Sequence, residues 1–206
     1  MTAIAPPHRP ASSRPAKHDG RHARSVSSRA KIVTAMLDIV GGGDVQPSAA
    51  KVADTAGVGL RTVFRHFDDM ETLYREMSEA VEAKVMPLIL TPFITADWRS
   101  RVREMAERRA MIFEAILPYR ISASLKRFQS SFLMHDYQRM LRMERGTIDA
   151  VLPTELLADP VRLNMIYAVL SFQCWRGLRH DQELSVNAAR NSFVALTEAV
   201  LVSLDD

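Results

Sequence analysis

Apolar residues along this chain recur at three- and four-residue spacing, the period of an amphipathic helix, from Ser25 onward. Ile32, Val33, Met36, Leu37 and Val40 draw the first stripe, which Gly41-Gly42-Gly43 stops, so a helix is predicted over 25–40. A short second helix starts after Pro47-Ser48, with Ser48 as N-cap, and ends at Ala56 before Gly57. A third covers 60–66. Asp68 followed by Glu71 fits a relaxed capping box, and Leu73, Met77, Val81, Val85 and Leu88 then mark a long fourth helix ending near Pro87. The same grammar predicts helices over 97–117, 120–128, 130–151, 160–179 and 185–203, each break carrying Pro, Gly or a polar cap. No β-branched alternation with hairpin turns competes and no repeat of fixed period is present, so the fold class is all-α.

The helical pattern is absent from residues 1–24. This stretch is rich in Pro, Ser, Ala, Arg and His and is expected to be a disordered basic tail. Its Arg9, Arg14, Lys17, Arg21 and Arg24 either solubilise the chain or follow a phosphate backbone. The net charge of +3 conceals an asymmetry: residues 1–67 carry 10 Lys/Arg against 4 Asp/Glu, whereas 68–206 carry 17 against 20. Only the first part is suited to a polyanion such as DNA.

Several function classes fall away. The sequence has no apolar run of membrane-spanning length and no apolar segment of a secretory signal, so no membrane partner and a cytoplasmic location are expected. The single cysteine, Cys174, has no Cys/His spacing around it for a metal and reads as a buried core thiol. There is no Gly-x-Ser-x-Gly elbow, no His-Glu-x-x-His and no phosphate-cradling glycine loop, and His135-Asp136 is an isolated dipeptide. Neither an enzyme nor a cofactor is implied.

The informative stretch runs from Ser48 to Phe67. Two short helices packed steeply around a tight turn limit side-chain size at a few positions. Ala53 lies where the second helix crosses, and Gly57 can take the left-handed conformation that closes the first. Val58 and Val63 supply buried plugs, with Val52 behind them. Two amphipathic helices joined by glycine occur in many bundles, so the flanking residues carry the rest of the case.

Lys51 to Leu73, with Ala56-Gly57-Val58, Thr62-Val63-Phe64, His66-Phe67 and Leu73 at fixed spacing, closely resembles the N-terminal domain of the TetR family of transcription regulators. The resemblance covers roughly residues 25–75. It implies a helix-turn-helix DNA-binding domain over 25–70 and a helical ligand-binding and dimerisation domain over 71–206. It further implies that 60–66 is the recognition helix. Arg61 then suits bidentate readout of guanine, and Leu60 a thymine methyl. Thr62, Phe64 and His66 match family positions that touch phosphate and sugar; Arg65 suits either role, and Lys51 suits a phosphate. The family's turn serine is Gly59 here, an acceptable N-cap. Its serine-lysine pair at the start of the fourth helix is Asp69-Met70, which removes one cation from the phosphate edge.

By the same resemblance the last two long helices form a dimer interface, and two-fold symmetry suits a palindromic operator in double-stranded DNA. Val161, Met165, Val169, Phe172 and Trp175 make one stripe, and Val186, Ala189, Phe193, Leu196 and Val200 another; packing within one chain would give the same stripes. A ligand pocket is expected among the middle helices, lined by Trp98, Met105, Phe113, Phe128, Met134, Tyr137, Met140 and Trp175 and suited to an apolar, aromatic or acyl effector. The arginines at 99, 101, 103, 108 and 109 read as a solvated face. The implied function is a repressor released by a small, largely apolar ligand. The alternative is a DNA-binding protein of the same fold without an effector.

Overall fold

The computed structural model describes residues 19–204, with side chains from Ser25. The helices are α1 (Asp19–Gly41), α2 (Ala49–Thr55), α3 (Leu60–His66), α4 (Met70–Ile89), α5 (Trp98–Lys126), α6 (Ser131–Asp149), α7 (Thr154–Leu157), α8 (Pro160–Val169), α9 (Phe172–Arg176) and α10 (Val186–Ser203). A π-helical turn, Gly177–Asp181, follows α9. The described residues form no strand, so the all-α expectation holds.

Caps explain most helix starts. Ser48, Asp69, Asp97, Ser130, Asp159, Ser171 and Ser185 each accept a backbone N–H from the first turn that follows, satisfying a donor the helix cannot. The fourth helix is capped one residue later than the Asp68–Glu71 pattern predicted: Asp69 Oδ1 accepts from Thr72 N at 2.8 Å and from its hydroxyl at 3.0 Å. These bonds hold the Asp69 carboxyl below the usual carboxylate range.

Three other expectations need correction. The first helix begins at Asp19, so residues 19–24 are helical and not tail; the rest of the predicted tail, 1–18, lies outside the described residues. The helices expected over 97–117 and 120–128 are one, α5, which runs through Pro118. Proline removes one backbone donor, but Ile116 and Arg120 on either side are buried, and this packing holds the helix together. The helix expected over 160–179 breaks at Leu170-Ser171, where Ser171 caps α9 and the Leu170 carbonyl accepts from the buried Arg109 side chain at 2.6 Å.

Two apolar cores result. The N-terminal one joins Ile32, Met36 and Val40 of α1 to Val52, Ala53, Val63, Phe67, Leu73 and Met77. The body core surrounds Phe113, Phe172, Trp175 and Phe193, whose rings meet edge to face with centroids 5.6–6.3 Å apart. The fourth helix belongs to both, burying Leu73, Tyr74 and Met77 in the first and Val85 in the second. Cys174 is only partly buried against the body core, short of the full burial expected.

Candidate nucleic-acid interface and ligand cavity

The α2–turn–α3 unit is set by local geometry. Gly57 sits at φ +64°, the left-handed region, and Val58 N returns to Ala53 O at 3.0 Å, closing α2. Val63 is buried, which orients α3. Leu60, Arg61, Phe64 and Arg65 then share the opposite, exposed face, since positions four apart stack on one side of a helix. Leu60 is 44% and Phe64 49% exposed, large apolar side chains left beside two guanidiniums.

The remaining predicted contacts differ in setting. Thr62 and His66 flank that face and are half-buried. His66 Nε2 is turned inward without a hydrogen-bond partner, and burial, with Arg65 and Arg29 nearby, holds the imidazole below its ordinary pKa, hence neutral at pH 7. Lys51 is exposed on α2, with Nζ 2.6 Å from Asp44 Oδ2.

Sequence reasoning missed Arg29. Its guanidinium lies over the Phe67 ring at 4.4 Å, donates Nε to Glu76 Oε1 of α4 at 2.8 Å, and bonds the His66 carbonyl at the end of α3. It therefore ties the exposed helix to α4. A signal was present: Arg29 stands three and seven residues before Ile32 and Met36, on the apolar stripe of α1.

Within the body, a partly open cavity of about 150 Å³ lies between α4, α5, α6 and α9. Of the eight residues expected to line a pocket, Met105, Phe113, Tyr137 and Met140 do so. The other four lie elsewhere. Trp175 is fully buried in the aromatic cluster, Phe128 is 76% exposed under Arg127, Trp98 packs half-buried against the body core, and Met134 is half-buried away from the cavity.

The arginine face is also not what periodicity suggested. Arg103 bonds Glu198, Arg101 the Thr95 carbonyl, Arg99 the Leu201 carbonyl, and Arg108 Glu104. Arg109 is 6% exposed and lines the cavity, donating to the Leu170 and Glu144 carbonyls and, at 2.8 Å, to Thr147 Oγ1. Burial lowers its pKa to about 10, which leaves it charged at neutral pH. Arg120, also buried and on the same wall, pairs with Glu144 and stacks on Phe172 at 4.1 Å.

The cavity adjoins the N-terminal core. Tyr119 and Leu133 line the former and pack in the N-terminal core, and Ser122 Oγ donates to the Val45 carbonyl at 2.6 Å. Among the described residues no cluster has the makings of a metal site, and no helix is long and apolar enough to cross a membrane.

No protein-family model matches the chain, nor does any curated protein sequence. Solved structures do. A transcriptional regulator from Rhodococcus sp. Rha1 is similar with a TM-score of 0.64 at 14% identity, over 85% of this chain and 97% of that one. A protein from Mesorhizobium loti MAFF303099 assigned to the TetR family of transcriptional regulators is similar with a TM-score of 0.52 at 18% identity, over 87% and 98%. At these identities the likeness is one of fold, and the fold of this chain is TetR-like.

Proposed function

We propose that this protein is a homodimeric transcription regulator that binds a palindromic operator through α3 and is released from it by a small, largely apolar ligand held in the body. The observation that carries this reading is the exposed face of α3. Leu60, Arg61, Phe64 and Arg65 are left uncovered on a helix that Val63 anchors from behind, within a fold shared with transcriptional regulators. Arg61 reads a base edge and Leu60 a thymine methyl; Thr62, Phe64, His66 and Lys51 set register on phosphate and sugar, and Arg65 serves either role. In this reading residues 25–70 are the DNA-binding domain and 71–206 the sensing and dimerising body.

A second copy is expected on α8 and α10. The predicted stripes divide: Val169, Phe172, Trp175, Ala189 and Phe193 are buried within the chain and Val200 is partly buried, while Val161 (71% exposed), Met165, Val186 and Leu196 remain outside, with Val202 exposed beside them. Release follows from α4, which borders the cavity at Val81 and Val85 and reaches α3 through Glu76 and Arg29. A ligand that favours one position of α4 over another changes the spacing of the two α3 helices in a dimer.

Selection of duplexes from a random pool with the full chain tests the reading. The expected product is an inverted repeat, with Arg61→Ala losing about 1–3 kcal/mol and discrimination at one position of each half-site. Failure to enrich any sequence at low salt overturns it. Enrichment that no small molecule reverses favours the same fold acting without an effector.

A further inference from the structure

The cavity walls are apolar, yet five arginines border them, Arg108, Arg109, Arg120, Arg127 and Arg176, against three carboxylates, Glu82, Asp136 and Glu144. Those carboxylates are already engaged. Arg139 takes both Glu82 and Asp136, and Glu144 pairs with Arg120. Among the described residues Arg109 donates to two carbonyls and a hydroxyl and forms no ion pair, although the nearby Glu144 charge favours its cation. Arg127 meets the faces of Tyr137 (4.2 Å) and Phe128 (4.7 Å), and among the described residues it pairs with no carboxylate. Arg108 pairs with Glu104 and Arg176 with Asp181, so among the described residues the cations left without an ion pair are Arg109 and Arg127, in a region where an unmatched cation is costly.

The donors repeat this imbalance. Arg120 is 8% exposed and leaves Nη2 buried without an acceptor; Arg127 leaves Nε in the same state. Arg120 is in α5 and Arg127 is its C-cap, two turns on, so both long side chains approach the cavity from one wall. A buried charged donor without an acceptor costs more than a neutral one, and a ligand oxygen that carries charge returns most. The volume sets the other half of the ligand, because a cavity of about 150 Å³ with apolar walls is of the size that admits one benzene ring.

We propose that the ligand of this cavity is a small monocarboxylate with an apolar body the size of one aromatic ring or a short acyl chain. Its carboxylate accepts from Arg120, with Arg127 as the second cation. This rests on the reading of the cavity as the effector site and names the ligand's chemical class. A neutral apolar molecule fills the same space and leaves both donors unmatched. A dianion meets too little free positive charge and too much apolar wall.

Titration calorimetry of the full chain at pH 7 with benzoate, phenylacetate and hexanoate, each beside its uncharged amide, tests the proposal. Each acid is expected to bind about tenfold or more tightly than its amide. Arg120→Gln removes that preference. Arg127→Gln, which breaks no ion pair of the fold, weakens the acids and leaves the amides unchanged, so a misfolded Arg120 variant does not decide the matter. Glu144→Gln removes the internal counter-ion and is expected to tighten benzoate but not benzamide. Equal affinity for acid and amide, unmoved by Arg127→Gln and Glu144→Gln, overturns the anion assignment and leaves the ligand site standing. Absence of binding by every acid and every amide overturns the effector site itself, and the anion assignment with it.

Discussion

Arginine does opposite work in the two halves of this molecule. In the N-terminal unit Arg61 and Arg65 stand on the exposed face of α3, turned away from Val63 and the small core behind it. In the body Arg109 and Arg120 stand inside, against Phe113, Phe172 and the backbone of a broken helix. The difference follows from register. Arg61 and Arg65 fall off the apolar stripe of their helix, whereas Arg109 and Arg120 fall on that of α5, among Met105, Phe113 and Ile116. A cation off the stripe is free to meet an external polyanion, and a cation on it requires an acceptor from within or from a ligand.

The largest effect expected from breaking this contrast is in stability. Arg109→Ala strands the Leu170 carbonyl, opens a void beside Phe113 and leaves the α8–α9 break without its donor, at a cost of roughly 3 kcal/mol. Arg61 is exposed and makes no hydrogen bond or ion pair with another described residue, so Arg61→Ala is expected to stay within about 0.5 kcal/mol. Urea denaturation of the two variants side by side measures the difference. Equal costs would erase the distinction between outward and inward cations.

A smaller effect tests how far the N-terminal unit rests on backbone geometry. No atom lies within 4 Å of a Cβ built on Gly57, so space does not exclude a side chain there; its φ of +64° does. Gly57→Ala is expected to cost about 1–2 kcal/mol, and Gly57→Asn less, because asparagine tolerates the left-handed region. Thermal denaturation in which alanine and asparagine cost the same would point to packing and not to φ.

These contrasts also explain what could be read from the sequence. The α2–turn–α3 unit was legible because its constraints are local: a cap at Ser48, a left-handed glycine, and small or branched plugs at fixed spacing. The body was legible as helices but not in its joints. Pro118 signals a break that packing on both sides overrides, while at Leu170 the single local signal is the cap residue Ser171, without Pro or Gly beside it, and the Arg109 donor that completes the break is distant in sequence. Trp175 and Phe128 have the residue type of a pocket lining, and type does not distinguish a ring in a core or at the surface from one in a cavity. Arg29, Arg109 and Arg120 carry a usable signal, charge on an apolar stripe, and for Arg109 it outweighs the run of arginines that suggests a solvated face.

The finest test concerns the edge where the N-terminal unit departs from the TetR pattern. Asp69 there is no defect: it caps α4, and a carboxylate at a helix N-terminus is favoured by the dipole. The departure reduces to Met70, half-buried against the N-terminal core. In Met70→Lys the aliphatic stem can keep that packing while the ammonium reaches outward, and a cation in the first turn opposes the dipole by only a few tenths of a kcal/mol. Stability should therefore barely move, while the logarithmic salt dependence of operator affinity steepens by about one unit, the signature of one added phosphate contact. Sequence preference should not change, because a phosphate contact carries no base information. An unchanged salt slope would mean that the start of α4 stays clear of the DNA backbone in the proposed complex, which would then rest on the outward cations of α2 and α3.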